Sequence, residues 1–202
     1  MNEPNPIQHF HQWFCIVKDQ FPEIEVNAMA LTTLGTDGFP NTRMVLLKQY
    51  TWEGFIFYTQ YTSSKGKAIA KNSKVCLSFS WEKAKKRITI LGTAEKVSQA
   101  QSEAYFEARP RGSQLSAWAS QQSESVTSRK ALEESYHHFE DLFKNESIAK
   151  PERWGGYIVR PMELLFEESF ENVMKCIKYI VIDDLDWQKD IRYAYIPRNF
   201  QN

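Results

Sequence analysis

The chain has 202 residues, of which 42% are hydrophobic and 14% aromatic, a composition that excludes a disordered protein and suffices for one domain with a core. Its 25 Lys and Arg residues balance 25 Asp and Glu residues, which excludes a global attraction to nucleic acid or to an anionic membrane. The three cysteines are scattered and odd in number, so the sequence suggests free thiols rather than a disulfide framework or a zinc site.

The N-terminal segment, residues 1–25, is predicted to be helical. It lacks the basic and apolar regions of a signal peptide, and no apolar run in the chain approaches the roughly 20 residues of a membrane span. We therefore expect a cytoplasmic protein without a membrane partner. A helix is predicted over residues 6–21, where apolar side chains recur at helical spacing from Ile7 to Val17 before Pro22.

Short strands separated by turn signals follow, and this pattern favours an antiparallel barrel over a parallel sheet. Two further helices are expected over residues 98–108 and 128–144. The second helix should bury a face formed by Leu132, Tyr136, Phe139 and Phe143. The predicted fold class is α+β, an antiparallel barrel with flanking helices in a single domain. The predicted strands cover residues 28–34, 42–50, 54–59, 74–81, 86–97, 156–166, 175–182 and 191–196.

A first group of cations and hydroxyls lies at predicted strand ends and in the turn before a short helix. Forked Arg donors, a Lys charge, hydroxyls and the N–H groups of a helix N-terminus together suit a dianionic phosphate. The group therefore predicts a phosphate site, and the alternative is that its members are solvated surface charges. Its members are Arg43, Lys48, Tyr58, Thr59, Ser63, Ser64 and Lys65.

A second group follows the helix predicted at residues 98–108. Arg109 and Arg111 offer two guanidiniums, Ser113 offers a hydroxyl, and Tyr105 lies four residues before Arg109 on the same helix face. This predicts a second phosphate site, with the same alternative. The sequence contains no Gly-rich dinucleotide fingerprint and no metal-ligand spacing, so we expect neither a Rossmann site nor a bound metal.

The two cations of the strand predicted at residues 42–50 should point to opposite faces of the sheet. Strand alternation places Arg43 on one face and Lys48 on the other. One ligand can meet both only at a bulge, at a strand end or at a dimer interface, and a ligand held between two subunits would satisfy this requirement.

These residues carry a resemblance to a known family. Residues 43–48 read RMVLLK, similar to a family motif R-x-V-L-L-K, and residues 57–65 read FYTQYTSSK, similar to F-Y-T-N-x-x-S-R-K. Residues 105–123 read YFEARPRGSQLSAWASQQS and match Y-F-x-x-R-P-R-x-S-Q-x-x-A-W-x-S-x-Q-S, and residues 154–156 read WGG. From about residue 6 to residue 166 the chain resembles the pyridoxine (pyridoxamine) 5′-phosphate oxidase family.

The resemblance implies a split-barrel homodimer that binds FMN at the interface. It implies oxidation of pyridoxine or pyridoxamine 5′-phosphate to pyridoxal 5′-phosphate, with hydride transfer from C4′ to flavin N5, reoxidation by dioxygen and release of hydrogen peroxide. The substrate would be held by Lys48, Tyr105, Arg109, Ser113 and Lys175. The FMN ligands would be Arg43, Met44, Val45, Leu46, Lys48, Tyr58, Thr59, Ser63, Ser64, Lys65, Arg87, Gln122 and Ser123.

The sequence departs from the family pattern in residues 167–202. Val173 and Lys175 stand where the family has the Arg and His that orient the substrate ring, and Glu167 with Glu168 has no counterpart. Arg87 replaces a flavin-contacting Gln. Three hypotheses follow: an oxidase with a remodelled ring pocket, a related flavin oxidase of another substrate as in phenazine biosynthesis, or a protein that binds FMN or pyridoxal phosphate without turnover.

Overall fold

The central feature of the computed structural model is a sheet of nine antiparallel strands. The structure describes residues 5–120, 128–144, 146–183 and 186–195. The strands are β1 (Ala28–Leu34), β2 (Pro40–Leu46), β3 (Gln49–Thr51), β4 (Gly54–Gln60), β5 (Lys74–Trp81), β6 (Lys86–Lys96), β7 (Trp154–Phe170), β8 (Val173–Asp183) and β9 (Asp186–Tyr195). The helices are α1 (Pro6–Gln20), α2 (Ser64–Lys71), α3 (Gln99–Glu107), α4 (Arg111–Ala119) and α5 (Arg129–Leu142).

The strands are ordered β2-β1-β5-β6-β7-β4-β3, and β8 and β9 extend the sheet from β7. β7 has 17 residues, enough to pair with β4 through its first half and with β8 through its second half while β6 lies along its other edge. The sheet curls into a split barrel, because the amide of Leu47 bonds to Asn27 beside β1 and that of Lys48 bonds to Ile56 of β4. The predicted fold class is confirmed.

Helix α1 packs across the barrel core. It begins at a capping box, in which the Asn5 side chain accepts from the backbone of the first turn and Gln8 reaches back to the Asn5 amide. Phe10 is fully buried, and its ring meets Phe55 and Phe79 edge-on at centroid distances of 4.8 and 5.2 Å. Because such rings bury a large apolar area, α1 is held mainly by its aromatic face.

A second, smaller core lies between the barrel and helices α3, α4 and α5. Phe106, Leu115 and Trp154 are its largest buried side chains. The predicted buried face of α5 is wrong for Leu132, which is exposed, and no residue of the helix is fully buried. Tyr136, Phe139 and Phe143 pack against this second core only in part, since α5 lies on the outside of α4.

The strand predicted at residues 42–50 is two strands. β2 ends at Leu46 and β3 begins at Gln49, because the backbone amides change partner between them from the β1 side to β4. Leu47 turns into the core, where it is 3% exposed. Lys48 therefore lies at a strand end, which was one of the three arrangements that the parity of Arg43 and Lys48 allowed.

Other boundaries differ from the prediction. Residues 111–119 form α4, which the sequence analysis did not predict because Pro110 and Gly112 are typical of a turn. Pro110 in fact occupies the N-cap position, where its missing N–H costs nothing. β7 and β9 are each longer than predicted, and in β7 the ion pairs of Glu167 and Glu168 with β6 extend the ladder through polar residues. No helix in the described residues is long and apolar enough to cross a membrane.

Candidate functional site

Part of the first predicted phosphate group, namely Arg43, Ser63, Ser64 and Lys65, lies around the N-terminus of α2. Arg43 projects from β2 and donates from Nη1 to Thr33 Oγ1 at 2.8 Å and to the Leu31 carbonyl at 3.3 Å. Ser63 caps α2 and is fully buried, and its Oγ accepts from the Gly66 amide at 3.2 Å. These contacts fix the cation and the helix end relative to the sheet before any ligand binds.

The electrostatics of this group favour an anion. Burial lowers the pKa of the Lys65 ammonium, and the positive charge of Arg43 lowers it further. Burial also lowers the pKa of Arg43. Burial and the charge of Arg43 thus disfavour the charged form of Lys65, and a phosphate placed between the two cations would offset both effects. We call Arg43, Ser63, Ser64 and Lys65 the α2 anion group.

Gly66 allows this geometry. A Cβ atom at this position would clash with the carbonyl of Tyr61, so the first turn of α2 can rest on the β4–α2 turn only with glycine here. Lys65 lies in this first turn of α2, and the N-terminus of a helix favours a bound anion.

Tyr105 and Arg109 of the second predicted group lie in a stack with two further rings, those of Trp154 and of Tyr58 from the first predicted group. The rings of Tyr58 and Tyr105 lie 3.9 Å apart at 9°, and Tyr58 and Trp154 lie 5.3 Å apart at 10°. Arg109 places its Cζ 4.7 Å from the centroid of the Trp154 ring. Gly156 lies opposite Tyr58 across the β4–β7 pair, and a Cβ there would press on the Tyr58 ring at 2.8 Å.

The polar atoms of this second group remain suited to a phosphate. Burial lowers the pKa of Arg109, while Tyr105 acts in the opposite direction, and the buried Nη1 of Arg109 has no hydrogen-bond partner in the part of the chain that the structure describes. Burial, and then Tyr105, raise the pKa of Tyr58 to about 12, and burial raises that of Tyr105. Both phenols are therefore neutral donors at pH 7. We call Tyr58, Tyr105, Arg109 and Trp154 the tyrosine–arginine group.

The neighbours of these two groups occupy the following places. Ser113 lies in the first turn of α4, just after Arg109, and is half-buried. Thr59 is buried at the end of β4, and Lys48 is exposed between β2 and β3. Met44 and Leu46 are exposed and Val45 is half-buried. Gln122 and Ser123 lie outside the described residues.

Arg111, the second guanidinium of the predicted site, has a structural role. It donates from Nη1 to the Glu146 carbonyl at 3.2 Å and from Nη2 to the Phe143 carbonyl, so it binds the C-terminal end of α5 to α4. The two arginines two residues apart therefore serve different purposes, and Arg109 alone belongs to the tyrosine–arginine group.

Arg87 and Lys175 lie in a third group of charges, on β6 and β8. Arg87 forms two hydrogen bonds with Glu167, at 2.7 and 2.9 Å, and this partner raises its pKa. Lys86 pairs with Glu168, which lies opposite Lys175 in the β7–β8 ladder. The two acidic residues without a family counterpart are thus ion-pair partners, and the ligand roles of Arg87 and Lys175 stay predictions.

His9 is a titratable residue that the sequence analysis did not single out. Its ring stacks on Phe166 at 4.0 Å and 13°, and its Nδ1 lies 3.3 Å from the Tyr179 hydroxyl. Burial lowers its pKa to about 4, and Lys189, Lys175 and Lys86 act in the same direction against Glu168. No sequence motif marks this position, because the stacking partners come from strands far along the chain.

Gln60, Arg153 and Trp154 were also missed as residues that shape the site. Gln60 is 2% exposed and donates to the carbonyls of Ala117 and Ser120, while Arg153 donates to that of Trp118 at 2.8 Å. They tie the C-terminal end of α4 to β4 and β7. Trp154 stood in a quoted motif, but nothing in the sequence indicated what its ring contacts.

Metal binding finds no support among the residues that the structure describes. No three His, Cys, Asp or Glu side chains there lie close enough to hold an ion. The three cysteines are free and half-buried, as predicted.

Comparison with known proteins gives concordant results. The family model described as pyridoxamine 5′-phosphate oxidase matches residues 17–142, more than half of the chain. A curated protein of Flavobacterium johnsoniae named pyridoxine/pyridoxamine 5′-phosphate oxidase is 46% identical over 184 residues, which cover 91% of this chain and 86% of that protein. A protein of the same name from Nostoc sp. is 38% identical, over 92% of this chain and 87% of its own length.

Two solved structures share the fold. PhzG from Burkholderia lata, in complex with tetrahydrophenazine-1-carboxylic acid, aligns with a TM-score of 0.88 at 23% identity and covers 96% of this chain and 94% of that one. A pyridoxamine 5′-phosphate oxidase-related, FMN-binding protein of Nostoc punctiforme aligns with a TM-score of 0.74 at 13% identity, over 94% and 98% of the two chains.

Proposed function

Because this chain belongs to the pyridoxamine 5′-phosphate oxidase family, we propose that it oxidises pyridoxamine and pyridoxine 5′-phosphates to pyridoxal 5′-phosphate, with FMN as cofactor and dioxygen as acceptor. The observation that carries the proposal is the presence of two separate phosphate-suited groups. An enzyme that holds FMN and a phosphorylated substrate at once needs two such groups, whereas a binder of one phosphate needs one.

In this proposal the α2 anion group holds the FMN phosphate. Its two close cations, its capped helix N-terminus and its hydroxyls suit a dianion. Bound FMN would supply the redox chemistry, by accepting a hydride and passing electrons to dioxygen, with hydrogen peroxide as the product. The full proposed set remains Arg43, Met44, Val45, Leu46, Lys48, Tyr58, Thr59, Ser63, Ser64, Lys65, Arg87, Gln122 and Ser123.

The tyrosine–arginine group holds the substrate phosphate in this proposal. Arg109 supplies forked N–H donors, Tyr105 donates a phenol hydrogen, and Ser113 at the start of α4 adds a hydroxyl, with Lys48 as a further cation. These groups anchor one end of the substrate, which restricts how its ring can lie against the flavin. Lys175 is proposed to meet the ring itself.

A second copy of the chain is the proposed partner. The outward face of the sheet carries Leu34, Met44, Leu91 and Ile180, which are between 40% and 66% exposed, and Leu46 at 38%. Thr32, Cys76, Leu91 and Ile180 share one row of that face and line a cavity of about 560 Å³. Water contact with so much apolar surface is unfavourable, and burial against an identical face would remove it. A cytoplasmic location is part of the same proposal.

The test is direct. We expect purified protein that is reconstituted with FMN to retain a bound-flavin spectrum after desalting, and to release hydrogen peroxide with pyridoxamine or pyridoxine 5′-phosphate. Pyridoxal 5′-phosphate should form in step with the peroxide. A protein that retains no FMN at micromolar concentration, or that retains it without producing peroxide, would contradict the proposed oxidase.

A related oxidase of another substrate is the second candidate. The observation in its favour is that Val173 and Lys175 replace the expected Arg and His, and that Lys175 faces Glu168. If the first function is right, turnover should be slow because the ring is poorly oriented. Replacing both residues (Val173→Arg with Lys175→His) should then raise kcat/KM for pyridoxamine 5′-phosphate.

The same pair of substitutions separates the two candidates. The single substitution Val173→Leu serves as the control, since it changes the same position without adding a charge. No gain in kcat/KM from the double variant would favour the other substrate. Wild-type turnover within the usual enzyme range of about 1–10³ per second would show that other residues orient the ring.

A further inference from the structure

Trp154 places an aromatic face against the guanidinium of Arg109. Trp154 is the first residue of β7 and is 5% exposed, and the Arg109 Cζ lies 4.7 Å from its ring centroid. Phe106, one turn of α3 before Arg109, presents a second ring at 5.5 Å. An aromatic face attracts a cation through its quadrupole, most strongly for Trp and where water is excluded.

Rings hold this arginine without neutralising it. A carboxylate in the same place would pair with the guanidinium and compete with an incoming phosphate, whereas a ring face leaves the edge N–H donors available. In keeping with this, the buried Nη1 of Arg109 has no hydrogen-bond partner among the described residues. The contrast with Arg87 is clear, because Glu167 occupies two of its donors.

The orientation of the Trp154 ring is itself fixed. Its plane lies within 10° of Tyr58 and within 4° of Tyr105, and its backbone pairs with Gln60 of β4. The Trp154 amide also donates to the Pro151 carbonyl at 3.0 Å. A shift of the Trp154 ring would therefore disturb both the guanidinium and the neighbouring phenols.

We propose that Trp154 is a positioning residue for substrate-phosphate recognition, which presents the Arg109 guanidinium to the phosphate in a fixed orientation. This inference rests on the proposed function and deepens it, because it names the residue that makes Arg109 selective for a phosphorylated ligand. Trp154 acts through Arg109 and need not touch the substrate.

Equilibrium binding tests the inference without turnover. The probes are 4-deoxypyridoxine 5′-phosphate and 4-deoxypyridoxine, which lack an oxidisable group at C4′, titrated calorimetrically into the FMN-loaded protein. Phosphate discrimination is the dissociation constant of 4-deoxypyridoxine divided by that of 4-deoxypyridoxine 5′-phosphate. Trp154→Leu should reduce this ratio roughly threefold to thirtyfold. Trp154→Phe keeps a ring that attracts a cation less strongly, so its discrimination ratio should lie between those of the wild type and Trp154→Leu.

A matched control lies in the same helical layer. Trp118 places its ring 5.6 Å from the Cζ of Arg153, an arginine whose partners are backbone carbonyls of α4. Trp118→Phe removes one indole from a similar pair, so it can lower the melting temperature but should leave the discrimination ratio unchanged. A fall in the ratio equal to that of Trp154→Phe would overturn the inference.

A double-mutant cycle supplies the decisive readout. If Trp154 acts through Arg109, then Trp154→Phe should have no further effect on discrimination in an Arg109→Ala background. An equal effect in both backgrounds, or a folded Trp154→Phe variant with the wild-type ratio, would overturn the positioning role. A wild type that binds both probes equally would instead contradict the proposed function, and the inference would fall with it.

Discussion

At the residue scale, the environment of each cation decides what it can do. Arg111 and Arg153 donate to backbone carbonyls, whereas Arg109 stacks on Trp154 and keeps its buried Nη1 without a hydrogen-bond partner among the described residues. Burial and the nearby charge of Arg43 lower the pKa of Lys65, which is consistent with the anion proposed to bind there. The same residue type thus serves packing or recognition according to its neighbours.

Replacing Arg109 by alanine should weaken the phosphorylated ligand far more than FMN. A charge-assisted hydrogen bond contributes about 1.5–3 kcal/mol, so the dissociation constant for 4-deoxypyridoxine 5′-phosphate should rise roughly tenfold to hundredfold. FMN affinity, measured by quenching of its fluorescence, should change little. If FMN affinity collapses while the phosphorylated ligand binds normally, the two phosphate assignments are reversed.

The ion pair of Lys86 and Glu168 should contribute more to stability than the pair of Lys83 and Glu23. The side chains of the first pair are 12% and 21% exposed, against 65% and 49% in the second. Glu168→Ala removes the carboxylate partner of a largely buried ammonium and should cost about 1–3 kcal/mol of unfolding free energy. Glu23→Ala should cost clearly less, because solvent screens an exposed ion pair. Urea unfolding compares the two, and equal losses would contradict the argument from burial.

At the element scale, α1 is attached through an aromatic face that includes one titratable ring. His9 stacks on Phe166 and meets Trp13 edge-on at 5.1 Å, while Lys86, Lys175, Lys189 and Glu168 surround it. Protonation of His9 would add a cation to a group that already has more positive than negative charges. The attachment of α1 should therefore depend on pH.

The sign of this dependence follows from the lowered pKa. Burial lowers the pKa of His9 from its ordinary value of 6.5 to about 4 in the folded chain, so the stability that the neutral ring contributes is complete above pH 6.5 and is lost as the pH falls through 4. His9→Phe keeps a stacking ring that takes up no proton. The fall in melting temperature between pH 7.5 and 4.5 should be smaller in that variant.

The exposed His137 provides the control for this experiment, since its side chain is 71% exposed. His137→Phe should leave the difference between the two melting temperatures close to that of the wild type. If His9→Phe retains the full acid-dependent fall, then other groups cause it and the role of His9 is wrong.

At the scale of the whole molecule, the curled sheet separates an inward face, which α1 covers, from an outward face with exposed apolar residues. The chain alone leaves Met44 66% exposed and Leu91 43% exposed on that outward face. Isolated exposed apolar residues are ordinary, but a continuous group next to a cavity is typical of an interface. The single-domain organisation and the dimer remain predictions.

A charge on the outward face should convert the proposed dimer to a monomer. Leu91→Arg would place an unpaired guanidinium inside the interface, whereas Leu142→Arg, on the exposed side of α5, should have no effect. Sedimentation velocity with FMN present should give twice the chain mass for the wild type and the control, and one chain mass for Leu91→Arg. A wild-type monomer that binds FMN tightly would exclude the interfacial site.

The sequence by itself determined the fold class, the family and most strand positions, because alternating apolar residues and a long specific motif are local properties of the chain. It also named the cations of both proposed phosphate sites. Only the tertiary structure decided which of them meet. The strand breaks between Leu46 and Gln49 because the backbone there changes its pairing partner. Glu167 pairs with Arg87, Tyr58 stacks on Tyr105, and His9 stacks on Phe166; each of these contacts joins residues that are distant in sequence. Such contacts depend on sheet register and on the packing of helices against the barrel, which no local pattern encodes.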